Sequence, residues 1–176
     1  DGRREYYQTD NPTLRRVADA TAMLVDEGDV DVYDDGTAQL ETESLRASKD
    51  VCESEPYSEQ PVPGFCSGFL VAPDTLVTAG HCIDTRTECM ETSVVFDVRY
   101  DDPESDPVSL PKEQVYHCDE IIERTYESGA VDFAVLRLDR AVPDRQPVDF
   151  RQFDRIEEGS SLAMVGHPVG LPMKIN

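Results

Sequence analysis

Leu76-Val77-Thr78-Ala79-Gly80-His81-Cys82 is a β-forming run that stops on Gly-His-Cys. Thr75 to Thr78 has the β-branched, apolar character of a strand, and so does Phe65 to Val71 just upstream. Pro73-Asp74 supplies a turn between them, so the two segments read as a hairpin. His81 follows the second strand. Gly80 removes steric bulk beside it, and an imidazole is the side chain suited to take and return a proton near neutral pH. Cys66 lies sixteen residues before Cys82, at the other end of the hairpin. A Cys66–Cys82 bridge is geometrically natural there. Closing that loop contributes about 3 kcal/mol in the chain-entropy model and would fix the segment that carries His81.

Outward from this hairpin the chain remains β-like. Ser93 to Tyr100 alternates Val94, Phe96 and Val98 against Val95 and Asp97. Gln114 to Tyr126 reads as one long or bent strand, and Val131 to Leu138 as another. Ser161 to Gly166 and Leu171 to Ile175 flank a Pro168-Val169-Gly170 turn. Upstream, Asn11 caps a short helix opened by Pro12, with Leu14, Val17 and Ala18 on one face. Thr21 to Val25 is a buried strand. Strands without long intervening helices predict an antiparallel all-β barrel or sandwich. Residues 1–10 are polar and read as loose, and 139–151 read as a linker. Residues 26–60 have few apolar anchors and read as a long acidic surface insertion, with a hairpin at Asp35-Gly36.

Composition limits the function classes. The chain has 176 residues and a net charge of -21, with 37 Asp+Glu against 16 Lys+Arg. Such a surface repels nucleic acid and anionic membranes, so neither is an expected partner. Only Lys49, Lys112 and Lys174 are lysines; few Lys and many Asp fit adaptation to high salt. No apolar run approaches the length of a membrane span. Nor does a basic-then-apolar leader open the chain, and any signal peptide is expected to have been removed. Five cysteines, Cys52, Cys66, Cys82, Cys89 and Cys118, point to an oxidising, secreted or periplasmic setting. The odd number leaves one thiol free or paired outside these residues.

Cys66-Ser67-Gly68-Phe69-Leu70-Val71, followed by Leu76 to Cys82, closely resembles the trypsin-like serine peptidases. The resemblance implies a chymotrypsin-like antiparallel β-barrel, with His81 as general base and Cys66 bridged to Cys82. It also implies an orienting acid further on. Val131-Asp132-Phe133-Ala134-Val135-Leu136-Arg137-Leu138 is similar to the family's second motif, which makes Asp132 that acid. Strand periodicity puts Asp132, Ala134, Leu136 and Leu138 on one face. A carboxylate on an apolar face is costly unless paired, and Nδ1–H of His81 is the natural partner.

The family's nucleophile stands in a Gly-Asp-Ser-Gly-like turn, and no serine of this chain has that context; Ser160 and Ser161 precede the first strand of a second barrel. The resemblance therefore implies the N-terminal portion of a serine endopeptidase. A first barrel would occupy 20–145, after an N-terminal arm at 1–19 that is either propeptide or mature sequence. A linker and the first strands of a second barrel would occupy 146–176. Polypeptide substrate and the missing C-terminal half are the expected partners, and no cofactor or metal is required. By itself the chain is expected to be inactive. A non-catalytic, protease-like binding or regulatory protein is the alternative. A cysteine nucleophile is the weaker alternative, since no cysteine follows the second-barrel strands.

Cys118 pairs best with Cys89, although Cys52–Cys89 and Cys52–Cys118 stay open. His117 and Cys118 point to opposite faces of a strand, which argues against a zinc site built with His81 and Cys82. His167, in Gly166-His167-Pro168-Val169-Gly170, reads as structural. That corner is similar to bacterial, glutamyl-endopeptidase-like members of the family.

Overall fold

Six strands close into an antiparallel barrel in the computed structural model, which describes residues 2–127 and 129–176. In chain order the strands are β1 (Thr21–Asp26), β2 (Val30–Val32), β3 (Thr37–Leu40), β4 (Cys66–Ala72), β5 (Thr75–Thr78), β6 (Thr92–Phe96), β7 (Ser109–Pro111), β8 (Val115–Glu127), β9 (Val131–Leu138), β10 (Val165–Gly166) and β11 (Lys174–Ile175). The helices are short: α1 (Pro12–Asp19), α2 (Leu45–Lys49) and α3 (Arg86–Met90). The barrel runs β1-β4-β5-β9-β8-β6, and β1 closes it by pairing with both β4 and β6. The all-β reading of the sequence is therefore correct.

β1 is apolar from Ala22 to Val25 because both of its faces are covered there. Ala22 and Leu24 point into the barrel with Leu70, Leu76, Phe96, Leu136 and Leu138. Met23 and Val25 point outward, into a second cluster with Val95, Val98, Val115 and Leu110. That outer cluster lies under a three-stranded sheet of β2, β3 and β7. The acidic 26–60 segment is thus more than surface. It forms the β2–β3 hairpin, and Ala38 and Leu40 of β3 are fully buried.

Several sequence expectations need correction. β6 ends at Phe96 instead of running to Tyr100, because Asp97 takes a left-handed backbone with φ of 62°. The break reverses side-chain parity, so Val98 joins Val95 in the outer cluster and not Phe96 in the barrel. Residues 139–151 are no loose linker. Val142 and Val148 pack against the barrel core, and the buried Arg145 guanidinium binds the Asp97 carboxylate and the Asp19 carbonyl. Residues 1–10 are also tied down. Arg4 exchanges two backbone hydrogen bonds with Ile175, and Glu5 is buried against Lys174 at 3.0 Å. α1 then begins as expected, with Asn11 Oδ1 accepting from the Thr13 and Leu14 amides. The late strands are shorter than the sequence suggested: β10 and β11 pair over two residues each.

Candidate active site

The site is built where β5 leaves the barrel. Thr78 is buried and its hydroxyl donates to the Ser67 carbonyl at 2.8 Å, fixing the end of β5 against β4. The chain then turns through Ala79 and Gly80. A Cβ on Gly80 would press into the Thr125 carbonyl oxygen and lie 2.9 Å from that of Phe133. Only glycine lets this backbone cross so close to β8 and β9. Just beyond, Cys82 is disulfide-bonded to Cys66, with Cα atoms 6.2 Å apart. Ile83 is fully buried in the barrel core. His81 is therefore carried on a loop pinned on both sides.

β9 brings Asp132 to the same place. Its Oδ2 lies 2.7 Å from Nδ1 of His81, and its Oδ1 accepts the His81 backbone N–H at 3.0 Å. One carboxylate thus fixes both the main chain and the ring of the same residue. Nδ1–H donates to the carboxylate, which leaves Nε2 with its lone pair free to accept a proton. Among the described residues, no serine hydroxyl hydrogen-bonds to His81. The hydrogen bond from the His81 side chain, helped by backbone donors, holds the Asp132 carboxyl below its ordinary value despite some desolvation. Asp132 thus stays ionised at neutral pH. Asp132 shares strand parity with buried Ala134, Leu136 and Leu138, but it sits at the open rim. The two side chains are 56% and 36% exposed, so the site faces solvent.

Strand β8 completes the surroundings. Two register shifts, at Asp119 and Ile122, put Tyr126 opposite Asp132 and Arg124 opposite Ala134. Bulges of this kind re-aim side chains near functional sites. The Tyr126 ring meets the His81 ring edge-on, with centroids 6.2 Å apart. Arg124 reaches under the loop: its Nε donates to the carbonyls of Gly80 at 2.8 Å and Ile83 at 3.0 Å, and its guanidinium pairs with Asp84. Sequence reading assigned no role to Tyr126 or Arg124. Nothing in the local pattern marks the bulges that aim them.

The other candidates separate from this site. Cys89, on α3, is disulfide-bonded to Cys118 on β8, with Cα atoms 5.1 Å apart, and Cys52 is free and exposed. This is the pairing that the sequence favours over Cys52–Cys89 and Cys52–Cys118. α3 itself went unread, although Thr85 and Glu88 form a capping box at its start. Ligand atoms of Cys66, His81 and Cys82 lie within 4.8 Å of one another. The disulfide consumes both thiolates, so this trio cannot bind a metal as it stands. His117 is half-exposed, 3.9 Å from Glu27, while Cys118 points inward.

His167 is buried. Its N–H donates to Ser67 Oγ at 2.8 Å and its Nδ1 lies 3.2 Å from the Leu171 carbonyl oxygen. Burial, reinforced by the nearby Lys174 ammonium and only partly opposed by Leu171, pushes the His167 pKa down to about 3. It is a neutral structural residue at working pH. A cavity of about 250 Å³ lined by Ser67, His167 and Lys174 includes neither His81 nor Asp132.

A closed antiparallel barrel presenting a carboxylate-held histidine at its rim defines a protease-like class of domain. Residues 66–175 match the trypsin-like peptidase domain, and the chain belongs to that family. No curated protein matches the chain.

Proposed function

We propose that this chain contributes the base and its orienting acid to a serine endopeptidase. His81 takes the proton from the attacking serine hydroxyl and later returns it to the leaving amine. Asp132 holds the ring in the Nδ1–H tautomer and stabilises the imidazolium that forms. The observation that carries this reading is the two-point grip of Asp132 on His81, at 2.7 Å to the ring and 3.0 Å to the main chain. The reading places the nucleophilic serine, the oxyanion donors and the specificity pocket outside these 176 residues, so this stretch alone does not cleave peptides. Two disulfides favour a secreted or periplasmic setting. The Gly166–Gly170 corner and the acidic 26–60 segment favour a bacterial-type, glutamyl-endopeptidase-like member.

The test uses the complete gene product. His81→Ala should lower amidase turnover by about four or more orders of magnitude while leaving the fold intact. Full activity in that variant would sink the assignment. A serine-reactive phosphonate probe addresses the alternative of a non-catalytic, protease-like binding protein. Labelling of the wild type supports the enzyme, and failure to label favours the binding protein.

A further inference from the structure

Asp132 grips His81 from β9, but a second side chain grips the same loop from β8. Arg124 is three-quarters buried and touches the loop at three points. Its Nε donates to the carbonyl of Gly80, immediately before His81, and to the carbonyl of Ile83, two residues after it. Its guanidinium pairs with the carboxylate of Asp84. The contacts bracket His81 and Cys82 without touching the imidazole itself.

The backbone of β8 is shaped for this. A second bulge, at Ile122, shifts the pairing sum by one residue, so that Glu123 meets Val135 and Arg124 meets Ala134. Ala134 is small and fully buried at the end of the barrel interior. Asp84 is held in turn: its N–H and that of Thr85 donate to the Glu88 carboxylate at the start of α3. The arginine therefore connects α3, the His81 loop and β8 in one network.

The disulfide and the buried Ile83 side chain already tether the loop C-terminal to His81. Neither holds the peptide leading into His81, whose N–H is bound by Asp132 Oδ1 and whose carbonyl, that of Gly80, is bound by Arg124. A guanidinium suits this task because its donors lie in a rigid plane and it stays charged at every relevant pH. We propose that Arg124 is a positioning residue for His81. It holds the Gly80–His81 peptide before the histidine and the Ile83–Asp84 peptide after it, so that Nδ1–H meets Asp132 and Nε2 faces outward. The catalytic consequence rests on the reading of His81 as the general base; the geometric claim does not.

The test has two readouts on Arg124→Gln. In the chain itself, the Nδ1 proton of His81 is followed by NMR as a downfield, slowly exchanging signal. The variant should exchange that proton with water about tenfold or more faster, with the barrel amide signals unchanged, because a loosened ring opens from Asp132 more often. In the complete gene product, kcat should fall about 10- to 100-fold with KM nearly unchanged, the signature of misplaced chemistry. An Nδ1 proton that exchanges at the wild-type rate in a folded Arg124→Gln protein would overturn the proposal. If that variant does not fold, Asp84→Asn releases the guanidinium at one end and leaves the core untouched. Faster Nδ1–H exchange in Asp84→Asn supports the proposal, and an unchanged rate overturns it. An active His81→Ala enzyme would remove the catalytic reading and leave the exchange result standing.

Discussion

Lowering the pH from about 7 to about 5 should destabilise this protein through His167. The residue is neutral and buried in the fold, with its pKa pushed from 6.5 down to about 3. In the unfolded chain it regains its ordinary value. Between these two values the unfolded state binds one more proton than the native state, so stability rises with pH across that window. The native state is favoured fully above pH 6.5 and loses ground progressively as pH falls toward 3. Each pH unit is worth about 1.4 kcal/mol, so at about pH 5 the loss from this one group is about 2 kcal/mol. The whole window would cost about 5 kcal/mol, an upper figure because local opening would hydrate the ring first.

The assay is urea denaturation of the wild type and of His167→Asn at both pH values. Asparagine keeps an amide donor for the Leu171 carbonyl and does not titrate. Every other group that titrates is common to both proteins, so the difference of differences isolates His167. The wild type should lose about 2 kcal/mol more than the variant between the two pH values. A double difference below about 0.5 kcal/mol would refute the burial argument. Hydrogen exchange adds a location. His167 N–H binds Ser67 on β4, and Lys174 and Ile175 lie close by on β11. The amides of 165–175 should therefore lose protection in acid before those of the barrel.

Glu5→Gln should cost about 3 kcal/mol or more in denaturant stability, because it leaves the buried Lys174 ammonium without its carboxylate. Burial already pulls the Lys174 pKa down against the pull of Glu5, and the double variant Glu5→Gln/Lys174→Met should recover much of the loss. Gly80→Ala should lower kcat/KM of the complete gene product about 100-fold, since the new methyl forces the His81 loop away from the Thr125 and Phe133 carbonyls. Wild-type activity in that variant would mean that the loop tolerates the shift.

Much of the site was readable because its signals are local. The strand preceding Gly80-His81-Cys82, the cysteine sixteen residues earlier and the parity of Asp132 all lie within short windows of sequence. β8 was readable as a long strand, yet its register was not. Two single-residue bulges leave no compositional mark, and they decide which side chains meet Asp132 and His81. β6 failed for a related reason. Its alternation continues to Val98, but Asp97 turns left-handed, and Arg145, 48 residues further on, takes its carboxylate. The N-terminal arm failed because its partners, Ile175 and Lys174, sit at the other end of the sequence. Polarity alone reads as looseness only when such distant partners are invisible.

The cations follow a rule that composition hints at. Of 16 Lys+Arg, three are lysines, so 13 are arginines. Some arginines, such as Arg46 and Arg137, are exposed and pair with surface carboxylates, but others act as clamps. Arg145 joins Asp97, Gln114 and the Asp19 carbonyl, and Arg99 joins Asp19, Asp97 and Asp101. Arg140 holds the Val115 and Glu113 carbonyls and lies over the Tyr116 ring. Arg124 holds the Gly80 and Ile83 carbonyls of the His81 loop. Each clamp uses donors in a fixed plane, and Arg99, Arg140 and Arg145 also lay a flat face over Tyr6, Tyr116 and Phe96, which lysine cannot do. Salt screens exposed charges within about 10 Å but reaches buried pairs far less. A chain of this charge can therefore keep an acidic exterior while Arg99, Arg124, Arg140 and Arg145 tie loops to the barrel. The shortage of lysine then reflects geometry inside the fold as much as the character of the surface.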